Sequence, residues 1–210
     1  DDEASRSGMA RAPGRTLARI HAIPIESCDE IDGGVRHSLE RLEADYGALD
    51  EPSPTMEIAL RWLADHKPAD VPDSVVHGDY RTGNFLIDDD GVIRAILDWE
   101  MSHLGDPQED LDWAIYPLWA GADPERPGGT TPRSEAIHIW EKASGLKSDP
   151  KALHWWEIFA SLKGAAIWIS AAGEYAEERT IHPINAFSAW YCTSFPNKLL
   201  TDRPAPESAQ

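Results

Sequence analysis

His77-Gly78-Asp79-Tyr80-Arg81-Thr82-Gly83-Asn84 is the stretch from which the rest of this sequence is read. The β-branched run Val75-Val76-His77 just before it predicts a short strand running straight into a loop. Gly78 lets the backbone turn sharply ahead of Asp79. Asn84 lies five residues after Asp79, and Asp98 lies fourteen after Asn84, at the end of a second apolar run. Between them Asp89-Asp90-Gly91 separates residues 84–88 from 92–97, which reads as a β-hairpin with its turn.

These three polar residues suit one kind of chemistry. A carboxylate on a loop directly after a strand, Asp79, can take a proton from a substrate hydroxyl. The amide oxygen of Asn84 and the carboxylate of Asp98 are hard oxygen donors, and Mg²⁺ takes few such protein ligands, completing its shell with water and phosphate oxygens. Phosphoryl transfer asks for little beyond positioning, charge neutralisation and an oriented hydroxyl. Taken singly, Asp79, Asn84 and Asp98 each fit an ordinary turn or cap residue. Together, at this spacing, they point to a phosphoryl-transfer site.

Outward from this loop the sequence is mostly helical. Leu17, Ala18, Ile20, Ala22 and Ile23 predict a short amphipathic helix ending before Pro24. Further helices are expected at Val35–Tyr46 and from Pro54 to near Pro68. Asp106-Pro107-Gln108-Glu109 is a helix start, with a capping aspartate and proline at the first helical position. That helix is expected to run through Leu111, Ala114, Ile115 and Leu118. Residues 121–132 read as a Gly/Pro-rich loop, followed by helices over 133–144, 150–172 and 183–199. The helix bearing Trp155, Phe159, Leu162, Ala166 and Ile169 is apolar on more than one face, which predicts burial. Residues 1–16, with Gly8, Pro13 and Gly14, read as linker, and 201–210 as a frayed tail. The expected fold class is mainly α with a small β-hairpin element (α+β).

Composition bounds the partners. A chain of 210 residues with 41% hydrophobic residues and nine tryptophans can bury a real core. Its formal net charge of −18, from 37 acidic and 19 basic residues, argues against nucleic acid as a partner, because the cations that displace phosphate counterions are few. Cys28 and Cys192 match no metal spacing and read as reduced thiols of a cytoplasmic protein. The start Asp-Asp-Glu is unlike a signal peptide, and Glu157 and Lys163 interrupt the most apolar segment, so no membrane span is expected. No internal repeat is present.

The segment 77–84 resembles the catalytic loop of the aminoglycoside phosphotransferase family, relatives of the protein kinases, whose loop has the same aspartate-to-asparagine interval. Ile96-Leu97-Asp98-Trp99-Glu100 resembles that family's metal-binding segment, and Gly105-Asp106-Pro107 with Asp110-Leu111 the stretch after it. Leu17-Ala18-Arg19-Ile20-His21-Ala22 resembles the first large helix of the family's C-terminal lobe. Tyr80-Arg81 and Trp99-Glu100-Met101-Ser102 look closest to kinase-like domains fused to acyl-CoA dehydrogenases, a branch associated with phosphorylating hydroxyacyl-CoA. The resemblance implies that residues 17–200 form the C-terminal lobe of a protein-kinase-like fold using ATP and Mg²⁺ on a small-molecule hydroxyl. It makes Asp79 the base and Asn84 and Asp98 the metal ligands, with His77 anchoring the loop and Asp110 holding its backbone. Arg81 is expected either to neutralise the transferring phosphate or to pair with a nearby acid.

Nothing before Asp79 matches the family's nucleotide-covering loop or its strand lysine: Gly33-Gly34 lacks flanking strands and no Walker pattern occurs. The expectation is therefore a lobe whose N-terminal partner lies elsewhere in cis, and which alone binds nucleotide weakly and catalyses little. Two other readings stay open, a non-catalytic binding or scaffold domain and a metal-dependent phosphate-ester hydrolase. The acceptor pocket is expected among residues 119–133 and 174–185, where His182 reads as loop packing; the acceptor's identity and the oligomeric state are left open.

Overall fold

The computed structural model describes residues 3–27, 35–47, 53–120, 123, 125–126 and 131–187. Cys28, Gly33, Gly34, Cys192, the tail 201–210 and most of the expected loop 121–132 lie outside them. The chain divides into two units, one of residues 1–38 and 68–157 and one of residues 39–67 and 158–210.

The first unit carries the motif loop. It opens with helix α1 (Glu3–Ile20), so residues 3–16, read as linker, are helical. Gly14 supplies the reason: a Cβ there would press on Ile139 of α5 (Arg133–Ser144), so the glycine permits close helix packing. Pro13 sits inside the same helix, and its carbonyl accepts from Tyr80 Oη at 2.8 Å. Burial, reinforced by the negative charge of Asp110, pushes the Tyr80 phenol well above its usual range and keeps it a donor.

Two antiparallel two-stranded ladders follow. Strand β1 (Ser74–Val76) pairs with β4 (His103–Gly105), in the register Ser74–Gly105, Val75–Leu104 and Val76–His103. The expected hairpin is formed by β2 (Phe85–Ile87) and β3 (Ile93–Ile96), with a bulge between Leu86 and Ile87. Asp88 closes its turn: Oδ1 accepts from the amides of Asp90 and Val92, and Oδ2 from Arg94 at 2.6 Å. Gly91 takes the positive φ, 79°, that the turn requires.

Helix α4 (Pro107–Ala114) is buried from Pro107 through Trp113 although half its residues are polar. Each of those polar groups meets a partner in this unit. Gln108 Oε1 accepts from Asp149 N at 2.7 Å, and Asp112 pairs with Arg133 at 2.9 Å. Asp106 caps the helix by accepting from Gln108 N at 2.8 Å, with Trp156 Nε1 donating to its other oxygen at 2.9 Å. The helix stops at Ala114, short of the expected Ile115 and Leu118, and a 3₁₀ turn follows at Pro117–Ala120. Leu17, Ala18, Ile20, Val75, Tyr80, Leu111, Ile115, Trp140 and Leu153 form the core.

In the second unit, α3 (Pro54–Asp65) buries Met56, Ala59, Leu60 and Leu63. Helix α2 (Val35–Gly47) begins in the first unit and continues here, burying Leu39 and Leu42. The long α6 (Pro150–Ala176) likewise starts in the first unit, and its residues Phe159, Ala160, Leu162, Ala165 and Ala166 are buried here. Residues 183–187 are helical, and the rest of the expected helix 183–199 lies outside the described residues. Among the described residues no helix is long and apolar enough to cross a membrane.

Asp106→Ala removes both the cap and the acceptor for Trp156, and is expected to destabilise the protein by about 2 kcal/mol in urea unfolding. Burial pushes the Asp106 carboxyl above its usual range. The unfolded chain then loses this proton first. The associated stability is present below the unfolded value, about pH 3.9, and is lost as pH rises through the folded one. The stability of the wild type relative to Asp106→Asn should therefore be greatest in acid and fall toward neutrality.

Candidate active site

The loop after β1 is organised by one carboxylate. Asp110, fully buried in the first turn of α4, accepts from His77 N at 2.7 Å on one oxygen and from Gly78 N at 2.9 Å on the other. His21 Nε2 lies 3.4 Å from the same carboxylate, and Trp140 Nε1 donates to His21 Nδ1 at 3.0 Å. An indole N–H only donates, so His21 is in the tautomer whose Nε2 carries the proton and points it at Asp110. Gly78 has φ 84°, and a Cβ there would collide with the Met101 carbonyl, so the turn requires glycine twice over.

His77 ties the loop to the segment bearing Asp98. Its Nδ1 accepts from Asp79 N at 3.1 Å, which leaves Nε2–H to donate to the Leu97 carbonyl at 2.9 Å. Leu97 N donates in turn to the Asn84 carbonyl at 2.8 Å. Leu97 is thus clamped by both ends of the motif loop, and the next residue is Asp98. Asp98 is exposed and has φ 67°, a left-handed conformation that a non-glycine residue rarely holds and that recurs at functional sites.

Asp79 sits at the centre, its side chain only 14% exposed. Asn84 Nδ2 donates to Oδ2 at 2.7 Å and to the Asp79 carbonyl at 2.9 Å. With the amide nitrogen turned to Asp79, the amide oxygen of Asn84 is the group available to a cation. Arg81 Nε spans both carboxylate oxygens at 3.1 and 3.2 Å, and its guanidinium lies 5.1 Å over the Trp119 ring. Arg81 therefore pairs with an acid, and that acid is Asp79 itself. Trp113 Nε1 donates to Oδ1 at 2.7 Å.

Asp79, Arg81 and Asn84 are in mutual contact, while His77 binds the backbone of Asp79 and of Leu97, and Asp110 binds the amides of His77 and Gly78. Sequence reasoning missed Trp113, His21 and the Leu97 clamp. Trp113 lies three residues after Asp110 on one helix, so helical spacing placed it on the same face. His182, in the second unit, is exposed. Among the described residues no group of three or more His, Cys, Asp or Glu side chains is arranged to hold a metal. Ser38, His103 and Glu109 also meet, but Ser38 Oγ and Glu109 Oε2 both approach His103 Nε2, at 3.2 and 3.0 Å. A serine relay needs them on opposite ring nitrogens, so this cluster is structural.

Asp110→Ala leaves two buried amides without their acceptor and is expected to cost about 3 kcal/mol. Hydrogen exchange at His77 and Gly78 checks this: both amides should be protected in the wild type and open early in the variant.

The sequence matches the phosphotransferase enzyme family over residues 1–146. It is 26% identical over 190 residues to acyl-CoA dehydrogenase family member 11 of Pongo abelii, a match covering 82% of this chain and 24% of that protein. The chain thus spans about a quarter of that relative's length. A candidate aminoglycoside phosphotransferase of Ralstonia eutropha JMP134 superposes with a TM-score of 0.76 at 19% identity, covering 96% of this chain and 66% of that one. An aminoglycoside phosphotransferase of Streptomyces rimosus, solved with ADP and streptomycin, superposes with a TM-score of 0.58 at 17% identity, covering 77% of this chain and 64% of that one. The fold is that of protein-kinase-like phosphotransferases, and with the match spanning well over half its residues the chain belongs to the phosphotransferase enzyme family.

Proposed function

We propose that this site transfers a phosphoryl group from Mg²⁺-ATP to a hydroxyl of a small molecule. One observation carries the reading: Asp79 and Asn84 share a 2.7 Å hydrogen bond, and Leu97 fastens the Asp98 segment to the same loop. The family match supports phosphoryl transfer, and the likeness to an enzyme solved with ADP supports a nucleotide donor.

Asp79 is the base. Its carboxylate takes the acceptor hydroxyl's proton as that oxygen bonds to the terminal phosphorus and the bond from phosphorus to the departing ADP oxygen breaks. The Asn84 amide oxygen and the Asp98 carboxylate fit Mg²⁺ in type and number, being hard oxygens few enough to leave room for water and phosphate. The ion, when bound, neutralises charge on the phosphates. Gly78 and Asp110 hold the base at the end of β1. Arg81, once released from Asp79, would neutralise charge on the transferring phosphate.

In the complete polypeptide, Asp79→Asn should lower transfer by roughly 10²- to 10⁴-fold with little change in nucleotide affinity. Asp98→Asn should weaken Mg²⁺-ATP binding in calorimetry. Transfer at the wild-type rate by Asp79→Asn would sink the reading.

A further inference from the structure

Asp79 is held by more than the family motif. The two shortest bonds to its carboxylate come from different elements, Asn84 Nδ2 to Oδ2 and Trp113 Nε1 to Oδ1, both at 2.7 Å. Trp113 is on α4, three residues after Asp110. One helix therefore grips the two residues before Asp79 by their amides, through Asp110, and the Asp79 side chain through Trp113. The indole is 3% exposed. Its ring stacks on Tyr116 at 5.8 Å and meets Trp119 edge-on at 5.4 Å, so packing fixes the direction of its N–H. Carboxylate rotation about the last side-chain bond is soft and broad in an aspartate. A donor fixed on each oxygen removes that freedom.

We propose that Trp113 is a positioning residue for Asp79: its indole N–H holds Oδ1 and sets the carboxylate plane that faces the acceptor hydroxyl. The inference rests on the phosphotransfer reading for its consequence and on the hydrogen bond alone for its geometry. Trp113 suits the role because an indole is uncharged and never titrates, so it orients the base without neutralising it. Arg81, with one Nε shared between both oxygens and a side chain 32% exposed, is the looser partner. Trp113→Phe removes the donor and leaves a smaller aromatic ring in its place.

Two measurements on the complete polypeptide test this. In steady-state ADP release from Mg²⁺-ATP with water as acceptor, Trp113→Phe should lower kcat about tenfold and leave the KM for ATP within about twofold. A folded variant with unchanged kcat overturns the proposal. The second measurement needs no turnover. The Trp113 indole resonance in ¹⁵N-labelled protein, identified by its loss in Trp113→Phe, should shift in Asp79→Asn. A resonance that does not move in Asp79→Asn overturns the proposal, whether or not Trp113→Phe folds. Wild-type ADP release no faster than that of Asp79→Asn, with a responsive indole, overturns the phosphotransfer reading and leaves the positioning geometry standing.

Discussion

Two consecutive amides, those of His77 and Gly78, close on the two oxygens of one carboxylate that has no access to water. A carboxylate suits this place because its forked oxygens match two neighbouring N–H groups, and hydrogen bonds to an ionised acceptor are the strong ones. Burying the charge alone would cost several kcal/mol. The cost is offset by three donors and by the position of Asp110 in the first turn of α4, where the helix dipole favours negative charge. Through His21 and Trp140 the same carboxylate is joined to the end of α1 and to α5. The site loop is thereby fixed by the core and not by its own few residues.

From that anchor the geometry propagates by backbone bonds. His77 accepts from the amide of the base and donates to Leu97, and Leu97 returns to Asn84. Any shift of the base's backbone is felt one residue before Asp98. That coupling accounts for a costly backbone conformation, Asp98 at φ 67°, close to Gly78, which takes φ 84° without penalty. A positive φ at a non-glycine residue persists only where its surroundings over-determine it, and the Leu97 clamp supplies that constraint.

The sequence made legible what is local. Asp89-Asp90-Gly91 marked the hairpin, and Asp106-Pro107 marked the start of α4, because turn and cap chemistry is written in adjacent residues. The motif loop was legible for the same reason. The pairing of β1 with β4 was not: Val75-Val76-His77 marked the first strand, but β4 went unmarked and their register is set by neighbours far along the chain. Residues 3–16 were read as linker because Gly8, Pro13 and Gly14 all disfavour helix, yet packing of α1 on α5 overrides those propensities, with Gly14 allowing the close approach. Trp113 and His21 were invisible as site residues because large rings at helical spacing read as core. Both are core; their N–H groups are what reach the site.

The charge of the chain and the charge of the site pull in different directions. At −18 the protein repels anions at long range, yet its central carboxylate is surrounded by donors, one of them a full cation. In the proposed transfer an acceptor hydroxyl needs a lone pair on Asp79, so one of these donors would give way. Asn84 and Trp113 each hold at 2.7 Å from buried positions, whereas Arg81 divides one N–H between two oxygens at 3.1 and 3.2 Å. A divided bond is the weakest of the three, and the guanidinium has a second resting place over the Trp119 ring. In that reading Arg81 is the partner that yields. Its departure would expose the base and free a cation for the incoming phosphate in one movement.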